Sequence, residues 1–130
     1  VMGTCAGLIL MAEVVNDDRI NPLGLIDIVI ERNAYGRQIE SSKQKVEFVF
    51  SENHKIKLST TLIRAPRITR LSDDIKVLGE YNNSPIAILS GHHLGLSFHP
   101  ELDEIDIFHQ IIFDKQNELY FKKIEHLDVA

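Results

Sequence analysis

Apolar residues are grouped along this chain in a way that predicts several short strands between two helices. The run Ala6–Val15 is apolar nearly all round, which predicts a helix buried among other elements. Leu25–Glu31 is rich in β-branched residues and predicts a strand. Further short apolar runs predict strands at Val46–Phe50, Lys57–Ala65, Ile75–Tyr81, Pro85–Ser90 and His93–His99. A closing helix is indicated by the helical spacing of Ile105, Phe108, Ile112 and Leu119.

Polar segments separate these elements and indicate how they connect. The hydrophilic run 32–45 predicts a surface loop, whereas Asn82-Asn83 and Gly91-His92 are short enough for hairpin turns. A strand at Val1 that leads at once into a buried helix needs neighbours on both sides, and the rest of the sequence does not supply them. We therefore expect residues 1–130 to form a single partial α/β domain that begins within a larger one.

The composition is that of a globular protein and narrows the classes of partner. Of the 130 residues, 44% are hydrophobic and 25% are charged, and the formal net charge is −5. This charge argues against nucleic acid or an anionic membrane as the main partner, because phosphate binding needs a basic surface. No apolar run approaches the roughly 18 residues of a membrane span, and the start lacks signal-peptide features. The single cysteine fits a reducing compartment, so we expect a cytoplasmic protein.

That cysteine lies in a short motif that is typical of a catalytic nucleophile. Gly3-Thr4-Cys5-Ala6-Gly7 has the G-x-S-x-G spacing of a nucleophile elbow, with cysteine in place of serine. A helix that starts behind Cys5 is expected to lower the pKa of its thiol, and the Ala6 N–H is placed to bind an oxyanion. The other interpretation is that Cys5 is a small buried apolar residue, as free cysteines often are.

A second motif, Ser97-Phe98-His99-Pro100-Glu101-Leu102, offers partners for the cysteine. Residues two apart in an extended segment project to the same face, so Glu101 can orient His99 while His99 takes a proton from the thiol. A histidine at the end of a strand is more often structural, so the inference depends on both motifs occurring together. The adjacent pair His92-His93 predicts an exposed turn rather than a metal site, because its side chains point to opposite faces.

Four motifs in this order resemble one family: G-T-C-A-G-L-I-L, E-R-N-A-Y-G-R-Q, I-R-A-P and S-F-H-P-E-L. The chain is similar over residues 1 to about 113 to the glutaminase subunits of pyridoxal 5′-phosphate synthases, which are class I, triad-type glutamine amidotransferases. The resemblance implies a three-layer α/β/α sandwich with a mostly parallel central sheet. It also implies hydrolysis of L-glutamine to L-glutamate and ammonia, which passes to a separate synthase subunit for vitamin B6 synthesis, without a metal or organic cofactor.

The resemblance also implies roles for individual residues. Cys5 is then the nucleophile, His99 the general base and acid, and Glu101 the residue that orients His99. The substrate glutamine is expected to contact Arg32 of the E-R-N motif and the I-R pair, Ile63 and Arg64. Without the family, a salt bridge that holds a loop is the more common role of such arginines.

The chain departs from the family pattern at three places. After G-R-Q the family has D-S-F, whereas this chain has the segment 39–42, and Asp103 stands where the family prefers threonine and is expected to cap a helix. The third departure is at the front, where the family carries about a third of its length, including a glycine loop that gives a second oxyanion donor. Since losing one such donor costs about 10²–10³ in rate, an inactive or interaction-only subunit is the alternative function. A thiol hydrolase of another fold retains the elbow but not the other motifs.

Overall fold

A computed structural model describes residues 1–32, 42–62 and 66–123 of the chain. Within these ranges the strands are β1 Met2–Thr4, β2 Ala12–Val15, β3 Ile26–Glu31, β4 Ser42–Ser51, β5 His54–Leu62, β6 Arg67–Leu71, β7 Lys76–Tyr81, β8 Ser84–Ser90 and β9 His93–Leu96. The helices are α1 Ala6–Met11, a 3₁₀ turn Pro100–Asp103 and α2 Ile107–Phe113. The strands predicted for the segments after residue 24 are confirmed, with shifted ends.

The described strands form two sheets. The larger sheet has six strands in the order β1-β9-β8-β7-β4-β5, and the smaller has three in the order β2-β3-β6. In the larger sheet β1 runs parallel to β9, with Gly3 opposite Gly95. Because parallel neighbours end at the same edge of a sheet, the residues that follow β1 and β9 lie side by side. This register brings the segment after Thr4 next to the segment after Leu96.

The strand directions differ in part from the expected, mostly parallel sheet. Within the described ranges only β1–β9 and β2–β3 are parallel pairs, and the others are antiparallel. Short turns are the reason for the pairs β4–β5, β7–β8 and β8–β9, since a two-residue connection joins only antiparallel strands. Asn82 and Asn83 both have positive φ between β7 and β8, and Gly91 has φ 58° between β8 and β9. The two predicted hairpin turns are therefore confirmed.

Apolar clusters cover both faces of the larger sheet. On β8, the side chains of Ala87 and Leu89 belong to one cluster and that of Ile88, between them, belongs to the other. Ile86, nearer the start of the strand, also belongs to the first cluster. The first cluster packs α2 against the sheet through Phe108. The second packs α1 and the smaller sheet against the opposite face through Leu8. The result is a layered α/β arrangement in which β8 is buried on both sides.

One local prediction is wrong, and one strand was not predicted. The apolar run Ala6–Val15 is not one helix, because α1 ends at Met11 and Ala12–Val15 continues as β2 beside β3. The β-branched pair at the end of the run favours a strand there. Arg67–Leu71 was not predicted at all and forms β6, antiparallel to β3. None of the helices in the described ranges has the length and apolar character needed to cross a membrane.

Candidate active site

The segment Gly3–Gly7, which we call the nucleophile turn, holds Cys5 in a strained conformation. Cys5 has φ 49° and ψ −105°, a region that non-glycine residues rarely adopt. Its N–H donates to the Leu96 carbonyl oxygen at 2.9 Å, and its own carbonyl accepts from the Ile9 N–H at 3.2 Å. Both backbone groups of Cys5 are therefore bonded, one to β9 and one to α1, which fixes the turn that the G-x-C-x-G spacing predicts.

The two glycines of the motif have different structural roles. A Cβ added at Gly3 would lie 2.5 Å from Met11 Sδ and 2.7 Å from the Gly7 carbonyl carbon. Gly3 is therefore required for the close packing of β1 on α1. A Cβ added at Gly7 would have nothing within 4 Å among the described residues, so no contact there requires glycine.

The thiol of Cys5 is half-buried and protonated at neutral pH. It donates to the Ser97 carbonyl oxygen at 3.3 Å. Burial raises the pKa of Cys5 to about 11, and the negative charge of Glu101 contributes in the same direction. The expectation that the start of α1 lowers this pKa is thus wrong in this structure, because desolvation outweighs it. Thiolate therefore forms here only if the proton is taken by a neighbouring base.

The segment Ser97–Asp103, which we call the histidine turn, carries the candidate base. His99 Nδ1 donates to Glu101 Oε1 at 2.8 Å, since a carboxylate only accepts. This bond leaves Nε2 as the acceptor nitrogen of the neutral ring. Glu101 lies in the 3₁₀ turn rather than in an extended segment, so the contact that the two-residue spacing predicts is made by a different backbone conformation.

Cys5 and His99 line one small pocket together with Thr61, Phe98 and Leu102. The structure therefore brings together the nucleophile and base candidates from residues that are 94 positions apart in the numbering. Thr61 was not predicted. The only sequence signal for it is its place two residues before the I-R pair of the I-R-A-P motif.

Asp103 has a different role from the predicted helix cap. Its carboxylate accepts from the Thr61 N–H at 2.6 Å and from Thr61 Oγ1 at 2.7 Å, and it pairs with Lys43 Nζ at 3.3 Å. Burial alone would raise its pKa, but these bonds outweigh burial and hold the pKa below its ordinary value. The residue before α2 is Asp106, whose side chain makes no cap bond. The cap prediction is therefore wrong.

The remaining predicted residues are placed as follows. Ala6 is exposed and is the first residue of α1, so its N–H is among those that a helix leaves unpaired. Arg32 is exposed, and its guanidinium donates to Asp17 Oδ2 at 2.5 Å. This contact is the salt bridge of the alternative interpretation, and Arg32 does not line the pocket described above. Ile63 and Arg64 lie outside the described residues. The run 33–41 of the predicted surface loop also lies outside them, whereas residues 42–45 belong to β4, so the loop prediction is wrong there.

Histidines elsewhere in the described ranges form no metal site. The rings of His92 and His93 have centroids 4.0 Å apart and planes tilted by 44°, so the expectation that the two side chains point to opposite faces is wrong. No group of three or more His, Cys, Asp or Glu side chains in the described part of the chain could hold a metal ion.

Comparisons with known proteins identify a family and several relatives. Residues 1–118 match the model of the SNO glutamine amidotransferase family. Among curated relatives, the pyridoxal 5′-phosphate synthase subunit PdxT of Shouchella clausii is 41% identical over 110 residues, covering 85% of this chain and 55% of that protein. The protein of the same name from Solibacter usitatus is 42% identical over 118 residues, covering 88% of this chain and 62% of its own length.

A solved structure is similar as well. The match is described as the crystal structure of a glutamine amidotransferase, with a TM-score of 0.75 and 35% identity. It covers 87% of this chain and 58% of the other chain. The fold type expected from the sequence is thereby confirmed, and the chain spans little more than half the length of the proteins it matches.

Proposed function

The chain belongs to the SNO glutamine amidotransferase family, and from this premise we propose that it carries the catalytic triad of a glutaminase. The proposed reaction is hydrolysis of L-glutamine to L-glutamate and ammonia. The observation that carries the proposal is the pocket shared by Cys5 and His99, in which His99 is oriented by Glu101 at 2.8 Å. We further propose that residues 1–130 are part of one amidotransferase domain, since β8 is common to both apolar clusters.

The chemistry follows from the groups in the pocket. His99 Nε2 accepts the thiol proton of Cys5, and the thiolate attacks the amide carbon of glutamine. The oxyanion that forms is bound by the Ala6 N–H. His99 then gives the proton to the departing ammonia, which leaves a γ-glutamyl thioester on Cys5. Water, deprotonated by His99, attacks the thioester and releases glutamate and the thiol.

The high thiol pKa fits a site that is inactive until it is completed. With a pKa of about 11, Cys5 holds its proton at neutral pH and does not react spontaneously. We propose that glutamine binds through Arg32, Ile63 and Arg64, and that its binding triggers transfer of the Cys5 thiol proton to His99. Arg32 must then exchange its bond to Asp17 for the substrate α-carboxylate, because it bonds Asp17 in this structure.

The partner proposed for the ammonia is a pyridoxal 5′-phosphate synthase subunit, on the ground of the relatives' printed name. Neither nucleic acid nor membrane is proposed as a partner, and the free thiol of Cys5 supports a cytoplasmic location. An inactive or interaction-only subunit is the second candidate function. The raised pKa of Cys5 is the observation that favours it.

The test is alkylation of the chain by a glutamine-mimicking diazo-ketone, followed by intact mass, with and without a synthase subunit. We expect one adduct that maps to Cys5, is blocked by excess glutamine, and is absent from the Cys5→Ser variant. A folded chain that gains no adduct, while iodoacetamide still modifies Cys5, would contradict the glutaminase proposal and support the interaction-only function.

A further inference from the structure

We propose that Asp103 is a positioning residue of the candidate active site, which fixes the histidine turn against β5 beside Cys5. The inference rests on the proposed function and adds to it a residue that the motifs do not assign. Asp103 is the last residue of the 3₁₀ turn Pro100–Asp103, and Glu101 is the second residue of the same turn. Its position relative to β5 therefore sets the position of Glu101.

The carboxylate of Asp103 is buried and fully bonded, so it anchors the histidine turn to β5. Its side chain is only 3% exposed, and each carboxylate oxygen accepts a hydrogen bond from a different donor of Thr61. A buried carboxylate is costly unless its oxygens are bonded, so the turn has little freedom to shift along β5 without losing both bonds. Charge-assisted bonds of this kind are also stronger than neutral ones.

The side chains of His99 and Glu101 have fewer contacts that fix their position. The side chains of His99 and Glu101 are 40% and 59% exposed, and the bond between them joins two residues of the same turn. That bond orients the ring but does not tie the turn to the rest of the molecule. The turn is instead stiffened by backbone bonds from Leu102 N to His99 O and from Ile105 N to Pro100 O, both within the turn and its exit.

Thr61 connects this anchor to the reacting pocket. It lies on β5 and lines the pocket with Cys5 and His99, while its N–H and Oγ1 hold Asp103. One residue thus touches both the pocket and the anchor. We infer that Asp103 sets the distance from His99 to Cys5 by holding the turn to the pocket wall.

The test is the rate of Cys5 labelling by the diazo-ketone in the full chain with a synthase subunit, resolved into the maximal rate kinact and the half-saturating concentration KI. Asp103→Asn keeps the size but removes the charge, so the bond from the Thr61 N–H becomes a weaker neutral bond. The second bond can persist only with Thr61 Oγ1 as the acceptor instead of the donor. Since a misplacement of about 1 Å can cost two orders of magnitude in rate, we expect kinact to fall about tenfold or more. KI should stay within about twofold, because the change does not touch groups proposed to bind glutamine.

The matched control is Asp106→Asn, the same chemical change three positions along, at a side chain without a cap bond. It should label like the parent chain. Thr61→Val removes only the Oγ1 bond and should lower kinact in the same direction by less. It carries the test if Asp103→Asn does not fold, as judged by circular dichroism.

The outcomes separate the two proposals. If the parent is labelled and both folded variants keep kinact within twofold, or lose labelling only through KI, the positioning role is wrong and the glutaminase proposal stands. If the folded parent is not labelled, the glutaminase proposal fails and the positioning role fails with it. A slower kinact at constant KI supports the positioning role, because a role confined to stability changes the folded fraction and not the rate of the folded chain.

Discussion

The nucleophile turn and the histidine turn meet at one pocket but are held by different kinds of interaction. The nucleophile turn is shaped by its backbone, with a positive φ at Cys5 and close packing at Gly3. The histidine turn has exposed functional side chains and is tied to β5 by the carboxylate of Asp103. The nucleophile turn is thus held by backbone hydrogen bonds and close packing. The histidine turn adds a polar side-chain anchor to the packing of buried Phe98.

The difference teaches which changes each half of the site tolerates. Steric packing is sensitive to single added atoms and insensitive to pH and salt. Polar anchoring is sensitive to the loss of one acceptor and is confined to a few bonds. Substitutions that alter side-chain volume should therefore affect mainly the nucleophile turn. Substitutions that alter charge should affect mainly the histidine turn.

The largest expected effect on stability is at Gly3. Gly3→Ala places a methyl group against Met11 Sδ and the Gly7 backbone, at 2.5 and 2.7 Å, and the backbone cannot move aside. We expect the free energy of unfolding to fall by about 2–3 kcal/mol. Urea unfolding at constant m-value measures this change.

The control for that prediction is the other glycine of the motif. Gly7→Ala meets open space among the described residues and lies in α1, where alanine favours the helix by up to about 1 kcal/mol. Equal losses of stability in both variants would contradict the claim that packing at Gly3 shapes the nucleophile turn.

A smaller effect is expected on the pKa of Cys5, which the negative charge of Glu101 helps to raise. The rate of Cys5 alkylation by iodoacetamide should rise with pH with a midpoint of about 11, against about 9 in the urea-unfolded chain. Glu101→Gln removes the second cause of the raised pKa and should move the midpoint down, while burial keeps it above 9. A midpoint near 9 in the folded parent would show that the thiol is not desolvated.

The same shift has a consequence for stability, with a definite sign. The unfolded chain releases its thiol proton near pH 9, whereas the folded chain holds it to about pH 11. The contribution of Cys5 to folding is therefore complete below pH 9 and is lost as the pH rises to about 11.

The smallest effect is expected at Lys43, the exposed partner of Asp103. Its side chain is 63% exposed, so Lys43→Met should change the free energy of unfolding by no more than about 0.5 kcal/mol and leave kinact unchanged. The measurements are urea unfolding and diazo-ketone labelling. If Lys43→Met lowered kinact as much as Asp103→Asn does, the ion pair between Lys43 and Asp103 would be the main anchor, and the bonds to Thr61 would not.

Local patterns predicted most strands but not how they associate. The runs of β3, β4, β5, β7, β8 and β9 were found because alternation and turn residues are local signals. Ala6–Val15 was predicted as one helix because an apolar run does not reveal where a buried helix becomes a buried strand. β6 was missed because its alternation is interrupted by exposed Arg70.

The candidate site was predictable to the extent that its residues lie in short motifs. The contact between His99 and Glu101 joins residues two positions apart. The bond between Thr61 and Asp103 spans 42 positions, and no local pattern reports it. The direction of the Cys5 pKa shift was predicted wrongly because burial of the thiol depends on residues far away in sequence.

The bond from Cys5 to Ser97 also determines when the site is formed during synthesis. The two residues are 92 positions apart, and β1 is paired with β9 rather than with a strand close to it in sequence. At about 5–20 residues per second on a ribosome, Cys5 precedes its partner by roughly 5–20 seconds. Throughout that interval Cys5 lacks the Ser97 carbonyl oxygen that its thiol bonds in the folded chain. Its reactivity toward oxidants is set by translation speed before it is set by the fold.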